Sequence, residues 1–175
     1  MYNQKQHHRR SIRLGEYDYS IPNWYYVTIC TKNFKCWFGE IKNSKVIHNE
    51  LGKTTVRYFN GIPEHFKNTE LDYFVVMPNH VHGIIIIGDD VGTLDRVSLQ
   101  EGEFGKMVKN SLSIIINQYK GSVTRFARQN GYPGFTWQSR FYEHIIRNDN
   151  DLFRIRTYIE NNPLKWEIDE YYNTE

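Results

Sequence analysis

Two histidines, His80 and His82, flank one valine inside the strongly apolar run of residues 75–87. A strand alternates its side chains between two faces, so both imidazoles project to one side while Val81 points to the other. Neutral imidazoles this close together can share one divalent ion, with Zn, Mn, Fe or Co preferred over Mg. Two ligands do not complete such a site, so a third protein group and water must contribute. Two ordinary histidines on the surface of a sheet are the alternative.

The elements that must position this pair can be predicted from hydrophobic period and turn residues. We expect a strand over residues 24–31, a hairpin over 36–47, a helix over 49–66 that Pro63 limits, and two strands over 70–78 and 81–87. A loop over 88–102 and a helix over 104–120 follow, then a short strand over 137–147. A last helix is capped by Asn148 or Asp149 and stopped by Pro163. This order predicts an α+β fold in which helices pack on an antiparallel, ferredoxin-like sheet.

The bulk composition indicates one soluble globular domain. The chain has 175 residues, of which 39% are hydrophobic and 24% charged, enough for a single core. Cys30 and Cys36 lack metal-binding spacing and are expected to be free thiols. The start of the chain is polar and basic, and no apolar run is long enough to cross a bilayer. We therefore expect a cytoplasmic protein without membrane contact.

The net charge of +2 hides an uneven distribution of charges. Residues 1–13 and 120–147 are rich in lysine and arginine, whereas residues 167–175 hold four acids and no base. Basic segments of this kind suit a polyanion, although a solvated charged surface explains them equally well on this ground alone.

The segment "MPNHVH" resembles the histidine–hydrophobe–histidine (HUH) motif of single-strand DNA nucleases. The chain is most similar to the single-tyrosine HUH transposases, and among them to the REP-associated tyrosine transposases. Three further stretches carry the resemblance: "RRSIRLGEYDYS" followed by "YYVTICT", then "WQSRFYEHIIRN", then "RIRTYIENNPLKW". Together they span nearly the whole chain in the order that the family has.

This resemblance implies the HUH endonuclease fold and a reaction that nicks and rejoins single-stranded DNA near hairpin (REP-like) sequences. His80 and His82 would hold a divalent metal ion, Mg²⁺ or Mn²⁺. Tyr158 would attack the phosphate and form a 5′-phosphotyrosine link. The helical period places Tyr158 at the border of an apolar stripe, where its hydroxyl can stay free. Asn162, one turn further on, would be the third ligand, although Pro163 disfavours helical dihedrals at that position.

The resemblance also implies DNA partners and a domain plan. We expect a basic arm over residues 1–20, one HUH transposase domain over 21–166 and an acidic tail over 167–175. Some such enzymes act as homodimers and others as monomers, so the resemblance leaves both a homodimer and a monomer open for this chain. Lesser candidates for the third ligand are Asn161 and Gln138. The side chains expected to contact DNA are Arg9, Arg10, Arg13, Trp137, Arg140, Arg147 and Arg154.

Two alternatives to the nicking enzyme stay open at this point. A catalytically inactive nucleic-acid-binding domain would keep the ferredoxin-like fold without the chemistry. A small zinc hydrolase would use the two histidines with a catalytic Glu or Asp and would not need Tyr158.

Overall fold

The structure, a computed structural model, describes residues 21–88 and 111–172. In chain order the elements are β1 (Asn23–Cys30), β2 (Gly39–Lys42), β3 (Lys45–His48), α1 (Glu50–Asn60), α2 (Ile62–His65), β4 (Thr69–Val76), β5 (His80–Ile87), α3 (Leu112–Gln129), β6 (Tyr142–Ile146) and α4 (Asp149–Asn161), with 3-10 turns at Lys32–Phe34 and Pro163–Ile168. The predicted basic arm, most of the predicted 88–102 loop and the first part of the helix expected over 104–120 lie outside the described residues.

Four strands form an antiparallel sheet in the order β4-β5-β1-β6. The chain runs β1-α1-β4-β5-α3-β6 through it, which is the ferredoxin-like arrangement. The hairpin of β2 and β3 is inserted before α1, and α4 is added after β6. The predicted α+β class and ferredoxin-like sheet are thus confirmed.

The two faces of the sheet are covered by different helices. The larger core lies on the side of α1 and α3, where Val27 and Ile29 of β1 meet Val81 and Ile85 of β5. On the opposite face a smaller cluster joins the sheet to Ile159 of α4. The face that carries His80 and His82 therefore lies beneath α4, which an unmodified ferredoxin-like fold would leave open.

Asparagine side chains begin two of the helices. Asn49 Oδ1 accepts from Gly52 N over 2.9 Å at the start of α1, and Asn148 Oδ1 accepts from Asp151 N over 2.9 Å at the start of α4. Each satisfies one of the backbone N–H groups that a helix start leaves unpaired. The α4 cap was one of the two residues expected from the sequence. No helix within residues 21–88 and 111–172 is long and apolar enough to cross a membrane.

Candidate active site

The two histidines of the motif stand at the start of β5, directly after the tight turn from β4. Met77 N donates to the His80 carbonyl over 2.8 Å and closes this turn around Pro78 and Asn79. His80 and His82 point to the same face, as the strand period predicts, with ring centroids 4.4 Å apart. Both side chains are fully buried. They are therefore part of an enclosed site rather than residues of a polar sheet surface.

Asn79 fixes the orientation of the His80 ring. Its amide nitrogen donates to the carbonyls of Phe34 and Tyr171, each over 2.8 Å, so its side-chain oxygen faces the histidine. That oxygen lies 2.7 Å from His80 Nδ1, and the ring donates Nδ1–H to it. His80 Nε2 then keeps its lone pair, and it is buried without a hydrogen-bond partner among the described residues. A histidine held this way is oriented to bind a metal ion through Nε2.

Two hydroxyl groups of the neighbouring strand β1 hold the His82 ring through its Nδ1 atom. His82 Nδ1 lies 2.7 Å from Tyr26 Oη and 3.0 Å from Thr28 Oγ1. Thr28 is the cross-strand neighbour of His82, and Tyr26 lies two residues away on the same face of β1. His82 Nε2 lies 3.4 Å from Tyr158 Oη. The nitrogen that faces Tyr158 is therefore the one that Tyr26 and Thr28 leave available.

Both imidazoles are neutral at physiological pH. Burial lowers the pKa of His80 to about 3, and a weaker effect of the nearby Asn162 amide opposes this shift. Burial also lowers the pKa of His82 well below its ordinary value, and the proximity of His80 lowers it further. Removal from water disfavours the charged form of each ring. Neutral rings have the lone pairs that metal coordination requires.

Tyr158 lies on α4 at the border of its buried stripe, as predicted from the helical period. It is 40% exposed, whereas its neighbour Ile159 is buried. Its ring centroid lies 5.1 Å from that of His82. Loss of hydration raises the pKa of Tyr158 to about 12, and the charges of Asp169 and Glu170 add to the rise. The phenol is harder to ionise here than in water unless a positive charge joins it.

A carboxylate that sequence reasoning did not single out joins the histidine pair. Asp169 belongs to the segment expected to be an acidic tail, yet one of its oxygens and one nitrogen from each histidine lie within 4.8 Å of one another. The 3-10 turn after α4 brings the chain back and buries Trp166, whose ring centroid lies 6.1 Å from that of His80. A tryptophan within a highly charged segment was the available signal, because such a ring usually packs.

Asn162, the expected third ligand, lies at the end of α4 and is almost completely buried. It keeps helical dihedrals, φ −60° and ψ −42°, so the expectation that Pro163 would displace it from the helix was wrong. The turn that begins at Pro163 is itself helical, which is the reason. Asn162 Nδ2 donates to Asp169 Oδ2 over 2.7 Å, and its Oδ1 has no hydrogen-bond partner among the described residues. Asn162 thus positions Asp169 and keeps one oxygen available.

This set of donors fits a divalent cation. Two buried atoms with lone pairs, His80 Nε2 and Asn162 Oδ1, lack partners in the part of the chain that the structure describes, and the Asp169 carboxylate adds a negative charge. Ligands on opposite sides of one ion stand about 4.2 Å apart for bonds near 2.1 Å. The two histidine nitrogens and the carboxylate oxygen lie within 4.8 Å of one another, which is close to that separation. Mixed nitrogen and oxygen donors suit Mn or Zn well and Mg less well.

An open cleft of about 620 Å³ lies beside this cluster and is bordered by Tyr158. Its other walls include His144 and Asp151, whose side chains are joined by a hydrogen bond of 2.7 Å. Arg154, expected to contact DNA, also borders the cleft and donates to Asp151 Oδ1 over 3.0 Å. The phenol of Tyr158 can therefore meet a large ligand that occupies the cleft.

The remaining predicted residues lie at different places. Arg140 and Arg147 are exposed on either side of β6, and Arg9, Arg10 and Arg13 lie outside the described residues. Trp137 is half-buried, packs against Phe38 and Phe135, and donates its indole N–H to the Lys120 carbonyl over 3.2 Å. The amide nitrogen of Asn161 donates to the Thr157 carbonyl over 2.8 Å. Gln138 follows the Thr31–Trp137 bridge, and its backbone nitrogen donates to the Cys30 carbonyl.

Comparison with known proteins identifies a relative that matches almost the whole chain. It is 40% identical over 174 residues to an uncharacterized protein of Haemophilus influenzae, an alignment that covers 98% of this chain and 97% of the relative. The chain belongs to the same family as that protein. No protein-family model matches it.

Among solved structures, a REP-associated tyrosine transposase bound to a REP hairpin matches with a TM-score of 0.55 and 20% identity. The match covers 85% of this chain and 72% of that one. At this identity the match concerns the fold. The resemblance to the REP-associated tyrosine transposases found in the sequence motifs is thus confirmed at the level of the fold.

Proposed function

We propose that the protein is a metal-dependent transposase or endonuclease that nicks and rejoins single-stranded DNA, with Tyr158 as its nucleophile. The observation that carries this proposal is the position of Tyr158 Oη, 3.4 Å from His82 Nε2 and at the border of a large cleft. A boundary tyrosine with only a packing role has no need to direct its hydroxyl at a buried pair of neutral imidazoles. The fold similarity to a transposase supports the same conclusion.

The proposed reaction exchanges one phosphoester bond for another. Tyr158 Oη attacks the phosphorus, an oxygen–phosphorus bond to tyrosine forms, and the bond from phosphorus to the 3′ oxygen breaks. The phenol proton is lost and a proton is taken up by the leaving oxygen, which gives a 5′-phosphotyrosine and a free 3′-hydroxyl. Because the bond energy is kept in the link, the reverse attack by a 3′-hydroxyl rejoins strands without ATP.

We assign His80, His82 and Asp169 as residues that hold the metal ion, with Asn162 Oδ1 as a further donor. A divalent cation bound there would polarise the scissile phosphate and favour the phenolate form of the nucleophile. Asn79 holds the His80 ring, and Tyr26 and Thr28 hold the His82 ring, so that each keeps a nitrogen available. The protein's own contribution is thus a fixed set of neutral donors beside the attacking oxygen.

The DNA partner is proposed from the fold and from charge. The structurally similar transposase is bound to a REP hairpin, and we propose single-stranded or hairpin DNA for this chain. The arm of residues 1–20 and the exposed Arg140, Arg147 and Arg154 are proposed contacts. The catalytic domain is proposed to cover residues 21–166, with the following acidic segment supplying Asp169. A homodimer remains a proposal.

The test is a covalent adduct assay. The protein is incubated with a labelled DNA that carries a hairpin and single-stranded flanks, with Mg²⁺ or Mn²⁺, and run on a denaturing gel. We expect an adduct that is absent in Tyr158→Phe and in His80→Ala. Tyr142→Phe is the matched control, since Tyr142 borders the same cleft and is 39% exposed against 40% for Tyr158.

Two outcomes would point to the alternatives. DNA binding without any adduct, across several hairpins and both metals, would favour a binding domain without chemistry. Cleavage that survives Tyr158→Phe would favour water as the nucleophile, which is the behaviour of a metal-dependent hydrolase.

A further inference from the structure

A second groove, of about 700 Å³, runs along the outer side of α3, and we name it the α3 groove. Its floor is the part of the helix from Asn117 to Gln129, and its wall is the segment of residues 136–139. Three of the residues that line it are basic, Lys120, Arg125 and Arg128, and none of the described lining residues is acidic. The groove therefore presents a positive surface away from Tyr158.

Hydrogen bonds between the floor and the wall hold the groove in shape. Lys120 Nζ donates to the Gln138 carbonyl over 2.5 Å, and the Trp137 indole N–H donates back to the Lys120 carbonyl over 3.2 Å. The Gln138 backbone nitrogen donates in turn to the Cys30 carbonyl over 2.9 Å at the end of β1. A ligand that enters the groove thus meets a surface fixed to the sheet and does not need to order a loop.

The basic residues are spread over about two turns of the helix within the groove. Arg125 and Arg128 are exposed, and no carboxylate of residues 21–88 or 111–172 forms an ion pair with either of them. Lys120 and Arg128 are eight residues apart, which is about 12 Å along the helix axis. One strand of B-DNA carries about three phosphates over that length. The basic residues therefore extend over a length that about three phosphates of one strand occupy.

A glycine in the middle of the helix lies on the same surface. Gly121 lines the groove, and a Cβ built on it would meet nothing within 4 Å. Packing within the described chain therefore does not require glycine, although glycine is among the least favourable residues for a helix interior. The absence of a side chain here leaves the helix surface open to close approach by a ligand.

The chemistry of the lining favours phosphates over bases. Trp137 is the one aromatic residue among the described lining residues, and its ring packs against Phe38 and Phe135 with its N–H already used. Base stacking needs an exposed ring face, whereas phosphate binding needs cationic side chains such as the exposed Arg125 and Arg128. The groove suits the backbone of a nucleic acid and offers little to read its sequence.

We propose that the α3 groove binds the phosphate backbone of the DNA substrate, as a contact surface separate from the nicking centre. This inference rests on the proposed function, because it takes DNA as the ligand. The groove lies on the α3 side of the sheet and the centre on the α4 side, and both lie toward the same end of β1, where the Cys30 carbonyl accepts from the Gln138 backbone nitrogen and Cys30 pairs with His80 of β5. A DNA molecule held in the groove therefore lies toward the end of β1 that pairs with His80.

The test measures DNA affinity against salt. The double variant Arg125→Gln/Arg128→Gln is compared with wild type by fluorescence anisotropy, using a labelled hairpin and a single strand of equal length. Removing two phosphate contacts should reduce the slope of log affinity against log salt by about 1.8 for duplex DNA. The ratio of wild-type to variant affinity should then be about 12-fold larger at 50 mM than at 200 mM salt.

The matched control is Lys45→Gln/Lys67→Gln, which removes the same charge from two exposed positions outside the groove. Control and groove variants with equal salt slopes would overturn the proposal, since the effect would then come from net charge alone. If the groove variant reduces the salt slope with the hairpin only, the duplex stem lies in the groove. If it reduces the slope with both DNAs, the single-stranded flank lies there.

A steric variant tests the groove without changing charge. Gly121→Gln should fill the floor and weaken DNA binding about as much as the double variant, while Gly121→Ala, which adds one methyl group, should bind nearly as wild type does. Thermal unfolding of each variant confirms that the fold is kept. Wild-type DNA affinity in Gly121→Gln would overturn the proposal.

The adduct assay is run on the same samples so that the two proposals fail separately. Tyr158→Phe should keep the wild-type salt slope and form no adduct. If the groove and control variants have equal salt slopes while wild type still forms the adduct, the groove proposal alone is refuted. If wild type forms no adduct while the groove variant still has the reduced slope, the tyrosine chemistry alone is refuted.

Discussion

Asn79 offers the sharpest test of how the site is held together. Its fully buried side chain makes three hydrogen bonds, to the carbonyls of Phe34 and Tyr171 and to His80 Nδ1, all between 2.7 and 2.8 Å. It therefore joins the turn after β1, the C-terminal segment and the first histidine of the motif. Replacement by alanine removes all three bonds and leaves a ring N–H and two carbonyls to find other partners.

The expected cost follows from these bonds. Each contributes about 1 kcal/mol net to the free energy of unfolding, and a buried group left unpaired costs about 1 to 3 kcal/mol. Because Phe34 and Tyr171 are only partly buried, water can reach their carbonyls, and we expect Asn79→Ala to lose about 3 kcal/mol. The freed His80 ring should also bind Mn²⁺ about 10- to 100-fold more weakly, as loss of a partner behind a metal ligand does elsewhere.

Denaturant unfolding measures the loss of stability. A Mn²⁺ titration followed by tryptophan fluorescence measures the loss of metal affinity, since the Trp166 ring centroid lies 6.1 Å from that of His80. Asn130→Ala is the control, because the exposed Asn130 amide makes one bond, to the Phe126 carbonyl. A cost within about 0.5 kcal/mol of wild type, which is usual for a surface change, would refute the bonding scheme. Unchanged Mn²⁺ affinity would refute the orienting role.

Further predictions concern the sheet beneath the site and the start of α4. Gly83→Ala should cost about 1 to 3 kcal/mol in denaturant unfolding, because its Cβ would stand 2.5 Å from the buried ring of Phe59; an unchanged midpoint would contradict this. Asn148→Ala should cost about 1 kcal/mol through loss of the helix cap, measured the same way. The hydrogen bond from His144 holds the pKa of Asp151 below its usual 3.8. The contribution of the Asp151 carboxylate to stability is therefore complete above pH 3.8 and is lost as the pH falls through the lower pKa of the folded state. Asp151→Asn should flatten the acid side of the curve of stability against pH. Parallel curves for wild type and variant would count against the pairing with His144.

The parts of this structure that local rules govern could be predicted from the sequence. The period of a strand placed His80 and His82 on one face, the period of a helix placed Tyr158 at the edge of a buried stripe, and Asn148 was one of two expected caps. Each of these depends on residues within a few positions. The α3 helix was harder, because Gly121 and the β-branched residues around it favour a break, and tertiary packing of Val123 and Ala127 carries the helix on to Gln129.

Asp169 could not be assigned because its position depends on the path of the chain after α4. The sequence prediction placed it in an acidic tail, and Trp166 is the one local sign that the turn after Pro163 continues as a 3-10 helix and returns to the sheet. The burial of Trp166 decides that path, since a large ring gains more from packing than it loses by ordering the segment. Full burial of the histidines has the same origin, because it depends on α4 and this segment covering the sheet.

The charges around Tyr158 are unfavourable for the proposed DNA substrate. The two imidazoles are neutral, and Asp169 and Glu170 raise the pKa of the phenol. A phosphodiester brought to this centre adds another negative charge, and Arg154 is the one arginine or lysine among the described residues that line the cleft. A cation at the histidine–aspartate cluster corrects the local balance where bonds change, but it acts over a few ångströms. Affinity for a long polyanion must therefore come from a positive surface without acidic residues. Within the described residues the α3 groove is such a surface.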